Sequence, residues 1–366
     1  MKTAVHFGAG KIGRGFIADL LHQTGYRIVF VDVVDALVDL VNKDHEYSLF
    51  LIDNNYEERV IDNVLAYNSI KEPENVIKAI GEAEVITTSV MASNLPKIAP
   101  LLAKGLKARV GKGLPKVTVM ACENAMMGTN ILKKAMLDSD NVTEAELDEV
   151  GVYPNTAVDR VVFDGEHHGK KGIEIGAAFE LAIERGKLVD PAKEPIKGGE
   201  YVDDLAMYLQ RKIYIVNCGH ALSAYYGNVK GYTIVQDVLR TPELLDEVRA
   251  AMKESAAGLA KEFGFTKESL DNYMETMVVK RFTMPGLSDP VTRVGREPIR
   301  KISANDRIMG PANLCEKYGL ENRQLLKGVA CAMKFVNPED AQAVELQDYI
   351  AKNGAGAAIE KYTSAK

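Results

Sequence analysis

Six residues near the start of the chain, Gly8-Ala9-Gly10-Lys11-Ile12-Gly13, restrict its fold more than any other stretch. They match G-x-G-x-x-G, and their surroundings give that match weight. The apolar run Thr3 to Phe7 precedes them, a segment of helical periodicity from Lys11 to Gln23 follows, and a second apolar run, Arg27 to Asp32, ends in an acid. Strand, glycine turn and helix in that order present the free N–H groups of a helix N-terminus, which with the macrodipole favour an anion such as a pyrophosphate. Gly8 allows the tight turn, Gly10 lets the backbone approach the phosphates, and Gly13 lets helix and strand pack closely. Asp32 is placed to accept hydrogen bonds from ribose hydroxyls and to repel a 2′-phosphate. Val33 and Val34 follow it, with no arginine there to hold such a phosphate. The expected cofactor is NAD rather than NADP, bound by Gly8, Ala9, Gly10, Lys11, Ile12, Gly13 and Asp32.

The alternation continues through the first half. Ala36 to Asn42 reads as a helix, Val85 to Val90 as a strand, Lys97 to Lys107 as a helix and Val117 to Ala121 as a strand. Strands alternating with helices predict a parallel sheet with right-handed crossovers. Around 186–199 the pattern lapses into Gly-Lys-Leu-Val-Asp-Pro-Ala-Lys-Glu-Pro-Ile-Lys-Gly-Gly, which reads as a connection between domains. Beyond it, Val202 to Tyr226, Pro242 to Phe263, Lys267 to Lys280, Gly310 to Tyr318, Glu321 to Phe335 and Pro338 to Lys352 read as helices. At 366 residues the chain exceeds what a single core usually supports. The expected fold is α/β: an N-terminal Rossmann-type doubly wound domain over 1–195, which binds NAD, and a C-terminal mainly α-helical substrate and catalytic domain over 196–366.

Bulk properties remove several function classes. The net charge of −6 speaks against non-specific nucleic-acid binding. Every apolar stretch is broken by charge well short of the roughly 18 residues that a membrane span needs. The opening Met-Lys-Thr-Ala-Val-His-Phe-Gly does not read as a signal peptide. Cys122, Cys218, Cys315 and Cys331 form no C-x-x-C pair, and the six histidines no H-x-x-x-H pair. These are expected to be reduced thiols in a cytoplasmic protein without a metal.

Chemistry beyond the cofactor is carried by Lys212, Asn217 and His220, at spacing K-x4-N-x2-H. On an α-helix they fall within an arc of about 140°, so a substrate several carbons long lies along one face. Burial and a nearby positive nicotinamide both disfavour the ammonium form, which suits Lys212 to a general base. Asn217 is able to donate an amide N–H to the oxygen being oxidised, and His220 to bond the same oxygen or a neighbouring hydroxyl. By spacing alone, an exposed lysine beside a helix-packing Asn and His fits as well. Asn124, in Cys122-Glu123-Asn124 just past the strand Val117 to Ala121, lies where ligands of open α/β sheets bind, though it also fits an N-cap. From Lys280 to Arg307 there are seven Lys or Arg against three acids. Arginine forks bind phosphate bidentately, so Arg293, Arg296 and Arg300 are candidates for a substrate phosphate, against a solvated loop as the plain alternative. Arg160 either faces the site or pairs with Asp159.

Taken together, the glycine fingerprint, Cys122-Glu123-Asn124, the Asn155-to-Arg160 segment and Lys212-x4-Asn217-x2-His220 resemble the polyol-specific long-chain dehydrogenases. The likeness runs over nearly the whole chain and includes Asn228, Gly231 and Tyr232. It implies Lys212 as general base, Asn124 and Asn217 polarising the reacting oxygen, His220 assisting, Glu123 in the cofactor site, NAD as cofactor and no metal. The implied reaction interconverts D-mannitol 1-phosphate and D-fructose 6-phosphate, with free mannitol or a hexuronate such as fructuronate as the alternative substrate. A non-catalytic NAD-binding regulator is the alternative of a different class. Some members of the family carry a glutamate one helical turn before the lysine as a proton relay, where this chain has Leu209. The likeness leans toward a monomer or weak dimer.

Overall fold

The computed structural model describes residues 2–364, so the outer bounds expected for the domains, 1 and 366, lie outside the described residues. The chain divides into two compact units, Met1–Ala206 and Met207–Lys366. Among the described residues, the first contains eleven strands: β1 (Thr3–Phe7), β2 (Arg27–Asp32), β3 (Tyr47–Leu51), β4 (Glu57–Ile61), β5 (Val64–Asn68), β6 (Val85–Thr88), β7 (Val117–Ala121), β8 (Gly151–Val152), β9 (Thr156–His167), β10 (Lys170–Glu184) and β11 (Glu200–Val202).

Six of them form one sheet in the order β5-β2-β1-β6-β7-β8, paired in parallel throughout. Counting only these strands along the chain, the order is 3-2-1-4-5-6, that of a doubly wound dinucleotide-binding fold, which reverses between β1 and β6. Alternation puts the two strand faces into separate cores. Val5, Phe7, Val29, Val31, Ile86 and Val119 pack with Ala99, Leu102, Ala103 and Leu106 of the helix Leu95–Lys107. Ala4, Ile28, Phe30 and Met120 pack with Phe16, Ile17, Leu20 and Leu21 of the fingerprint helix and with Leu49, Ile173 and Ile175 of a second sheet. That second sheet runs β11-β10-β3-β4, with β9 paired antiparallel to β10.

The segment read as an interdomain connection is folded into the first unit. Leu188 and Ile196 are core residues, Lys197 N–H donates to Thr24 Oγ1 at 2.9 Å, and β11 adds in parallel to β10. Proline and glycine there mark a return loop whose two apolar side chains tie it down.

The second unit is helical. The helix Leu205–Arg211 leads into it from the end of the first unit, followed by a π-helical Lys212–Asn217 and then Cys218–Lys230. Against this pack Pro242–Phe263, Arg323–Ala332 and the short helix Val291–Val294. Tyr225 and Tyr226 fill the middle, and each hydroxyl finds a backbone carbonyl, Gly295 O at 3.0 Å and Gln324 O at 3.2 Å. Buried tyrosines need such partners to offset lost hydration. No helix among the described residues is long and apolar enough to cross a membrane.

Candidate active site

The glycine turn is built from both sides. Gly8 has φ +107° and donates to Val31 O at 2.8 Å. A Cβ there would lie 2.6 Å from Ser89 O, so no other residue fits. At Gly13 a Cβ would lie 1.9 Å from Gly8 O and 2.8 Å from His6 Nε2, which makes this glycine a packing requirement of the fold. Gly10 is different: nothing lies within 4 Å of the position a Cβ would take. The open side of Gly10 is the cradle that a pyrophosphate approaching the backbone would fill. Lys11 and Ile12 are exposed beside it, and Lys11 reaches Asp164 at 3.1 Å across the surface. The turn residues therefore fit a dinucleotide.

Asp32 holds this arrangement together. One carboxylate oxygen accepts from Ala9 N–H at 2.7 Å, and the other from Val33 and Val34 N–H at 2.7 and 3.0 Å. The residue read as the ribose acceptor thus also clasps the glycine turn to the end of β2. His6 laces β1 to β6, with Nδ1 2.7 Å from Thr87 Oγ1 and Nε2 2.8 Å from Ser89 Oγ. Burial lowers the His6 pKa to about 3, so it is a neutral strut at working pH.

At the end of β7, Glu123 is buried, and burial raises its pKa while hydrogen bonds from Thr88 and Val90 oppose that. Its Oε1 accepts from Thr88 Oγ1 at 2.6 Å and Val90 N at 2.8 Å. Glu123 thereby holds the loop after β6, where Met91 sits at φ +71° with its side chain exposed. Asn124 is exposed, and it is not an N-cap: the helix Gly128–Leu137 begins after Met127, which makes no side-chain cap.

Arg160 lies in β9 and does not pair with the neighbouring acid alone. It is buried, with Nη1 2.7 Å from Asp19 Oδ2 and Nε 2.9 Å from Gly176 O, and its guanidinium lies over the rings of Phe16 and Phe179. Asp19 is fully buried and also receives Arg59 at 2.6 Å. These charges dock the fingerprint helix on the second sheet. In sequence, the signal was an acid at an apolar-phase position between Ile17 and Leu20.

In the second unit, Lys212 is 7% exposed, which removes the reading of a solvent-facing lysine. The α-helical arc anticipated for Lys212, Asn217 and His220 does not hold as drawn, because 212–217 is π-helical: Cys218 N–H bonds to Ile213 O, five residues back. Lys212 and Asn217 share that same spacing, so one wide turn separates them. Such insertions recur at functional sites. Asn217 and His220 are half-buried. The His220 ring stacks on Phe282 with centroids 4.2 Å apart and 14° between planes, and its Nε2 is 3.3 Å from Asp289 Oδ2. Burial lowers the His220 pKa against the opposing pull of Asp289. Burial would raise the Asp289 pKa, but His220 and Arg293 outweigh it and bring it to about 2. With His220 held toward its neutral form, the lasting countercharge of Asp289 is Arg293. Leu209, where a relay glutamate was looked for, is buried.

The basic stretch is largely paired. Arg293 meets Asp289, Arg300 meets Glu297 at 2.6 Å and Asp306 at 3.3 Å, and Arg307 meets Asp306 at 2.7 Å. Arg296 donates to Arg293 O and, among the described residues, enters no ion pair. Arg293, Arg296 and Arg300 line one depression of about 350 Å³, together with Lys301 and the acids Glu297, Glu339 and Asp340. The structure brings the three candidate arginines together, in a less positive setting than their sequence suggested. Sequence reading passed over Asp289, Phe282 and His6. Asp289 carried a faint signal as one of only three acids in that basic run.

Two family models divide the chain between them. A mannitol dehydrogenase Rossmann domain matches residues 2–193, and a mannitol dehydrogenase C-terminal domain matches 204–365. The chain belongs to the mannitol dehydrogenase family. Curated members similar to it include mannitol-1-phosphate 5-dehydrogenases of Geobacillus stearothermophilus, 39% identical over 98% of this chain and 94% of that one, and of Oceanobacillus iheyensis, 38% identical over 97% and 92%. Among solved structures, the mannitol dehydrogenase fold is shared with a Pseudomonas fluorescens mannitol 2-dehydrogenase in ternary complex with NAD and D-mannitol (TM-score 0.69, 20% identity, 99% of this chain and 86% of that one). It is shared also with a substrate-free D-sorbitol dehydrogenase (TM-score 0.75, 18% identity, 98% and 95%).

Proposed function

We propose that this mannitol dehydrogenase family member is an NAD-dependent alcohol oxidoreductase that interconverts D-mannitol 1-phosphate and D-fructose 6-phosphate. The observation that carries the substrate is likeness along nearly the full chain to curated mannitol-1-phosphate 5-dehydrogenases, about 39% identical over 98% of it. Oxidation releases NADH and a proton, so one protein group must take that proton. Lys212, buried on the π-helical turn, takes it from the hydroxyl being oxidised and returns it in the reverse direction. Asn217 donates its amide N–H to the same oxygen, and Asn124 is assigned a similar role by family resemblance. His220 contacts a neighbouring hydroxyl. The bound nicotinamide supplies the two-electron acceptor, held by the Gly8–Gly13 turn and Asp32. Neither motif calls for a metal.

For the phosphate we assign Arg293, Arg296 and Arg300, with Arg296 the readiest because its guanidinium is not committed to an acid. The four cysteines are free thiols, in keeping with a reducing cytoplasm, and we place the enzyme there as a monomer or weak dimer.

The test is NADH oxidation with fructose 6-phosphate and fructose offered in parallel. Turnover of the phosphate alone supports the reading. Turnover of fructose alone moves the substrate to the unphosphorylated polyols, and NAD binding without turnover points to a regulator. Neutralising Arg296 should raise KM for fructose 6-phosphate about tenfold and leave any residual fructose rate unchanged. An unchanged KM in Arg293→Gln, Arg296→Gln and Arg300→Gln alike removes the phosphate site from this depression.

A further inference from the structure

We propose that Asp289 is a positioning residue for the reaction, its carboxylate selecting which nitrogen of His220 faces the substrate. The inference rests on the reading of His220 as a substrate contact. Two constraints act on the imidazole. Stacking on Phe282 fixes the plane of the ring. Rotation within that plane is then set by what each nitrogen meets, and Nε2 meets Asp289 Oδ2 at 3.3 Å. A carboxylate only accepts, so its approach to Nε2 favours the tautomer with the proton on Nε2 and the lone pair on Nδ1. His220 then accepts a hydrogen bond from a substrate hydroxyl and does not donate to the reacting oxygen, leaving that task to Asn217.

Asp289 is itself held rigidly. Its N–H donates to the side-chain oxygen of Gln236, a fully buried residue, at 2.7 Å, and its carbonyl accepts from Val235 N–H at 2.9 Å. One residue on, Pro290 bridges to Ile234, and Val291 N–H donates to Thr233 O at 2.8 Å. Four successive residues, 233–236, thus pin the loop that carries the carboxylate. Its other oxygen is engaged by Arg293, half exposed, while the buried Arg281 precedes Phe282 in sequence. Asp289 therefore faces one imidazole and one guanidinium. The His220 contact lacks the alignment of a full hydrogen bond, as is common before substrate tightens a site.

The experiment pairs a readout that needs no turnover with one that does. Imidazole nitrogen NMR, with His220→Asn identifying the signal, should show the Nε2–H tautomer in the wild type and a mixed population in Asp289→Asn. Fructose 6-phosphate reduction by Asp289→Asn should fall 10–100-fold in kcat with KM for NADH unchanged, and Asp289→Glu should recover part of it. The double variant with His220→Asn should be no slower than His220→Asn alone, since both act through one ring. An unchanged tautomer in Asp289→Asn, or losses that multiply in the double variant, would overturn the proposal. If Asp289→Asn does not fold, Asp289→Ser, which also removes the carboxylate, decides by the same tautomer shift. If the wild type does not turn over fructose 6-phosphate, the functional reading fails, while the tautomer comparison still decides the role of Asp289.

Discussion

The glycine turn and the Lys212 helix place chemistry in opposite ways. In the first unit the working groups are backbone N–H donors and empty space, and the residues that create them are adjacent in sequence. Gly8, Gly10 and Gly13 lie within one turn, and Asp32 closes it from the next strand. In the second unit the working groups are side chains, and their supports come from far along the chain. Phe282 and Asp289 meet a histidine at position 220, and Arg293 meets Asp289. A backbone site needs only local geometry. A side-chain site needs a second layer to fix rotamers and protonation.

The sharpest way to break that comparison is Lys212→Ala. Turnover of fructose 6-phosphate should fall about 10²–10⁴-fold, the range for loss of a general acid–base group, while NADH binding, measured by fluorescence titration, stays at the wild-type level. A parallel loss of NADH binding would mean that the two regions are not separable. Next come two alanines in the glycine turn. Gly13→Ala should prevent folding or cost several kcal/mol, because the added carbon meets backbone at 1.9 Å. Gly10→Ala should keep the melting temperature within a few degrees and weaken NADH about tenfold or more. If both variants fold equally well, the distinction between packing glycine and ligand glycine is wrong.

A smaller effect concerns His6 in the first region. Its folded pKa is lowered to about 3, so the native state stays neutral while the unfolded chain takes up a proton below about 6.5. Stability should therefore fall as pH drops from about 6.5 toward 3, by a few kcal/mol in all. In His6→Asn that slope should flatten, even though neutral-pH stability falls by about 1–3 kcal/mol from poorer hydrogen bonding; urea melts at several pH values read both. An effect of similar size belongs to Lys301 in the second region. Burial, and then Arg307 and Arg300, lower its pKa to about 7, with Nζ against Val294 O. Between about 7 and 10.5 the unfolded chain binds the extra proton, so stability should rise with pH across that window. Lys301→Met should flatten the rise between pH 7 and about 9. An unaltered slope would place the Lys301 ammonium in contact with water.

Much of the fold was legible because local pattern and tertiary role agree. The strands Thr3–Phe7, Arg27–Asp32 and Val117–Ala121 and the helix Pro242–Phe263 have the bounds that their patterns predicted. The long β9–β10 hairpin was not legible, since Gly165, Gly169, Gly172 and Gly176 interrupt the alternation of its outer half. The stretch 186–199 read as a connection because its turn residues outnumber its apolar ones, yet Leu188 and Ile196 suffice to anchor it. Within the candidate site, residue identity was legible and geometry was not. The K-x4-N spacing was taken as five steps of an α-helix, whereas it is one turn of a π-helix.

By itself the sequence determined the dinucleotide turn, the parallel sheet and the lysine, asparagine and histidine on one helical stretch. Each of these follows from interactions within a few residues or from a periodic apolar pattern, and chain order records both. Tertiary structure alone decided that Arg160 serves a buried charge cluster with Asp19, that the arginines of 293–300 mostly answer to acids, and that His220 answers to Asp289. Charged and titratable side chains take their roles from whichever partner folding brings within about 4 Å, and sequence distance says nothing about who that will be.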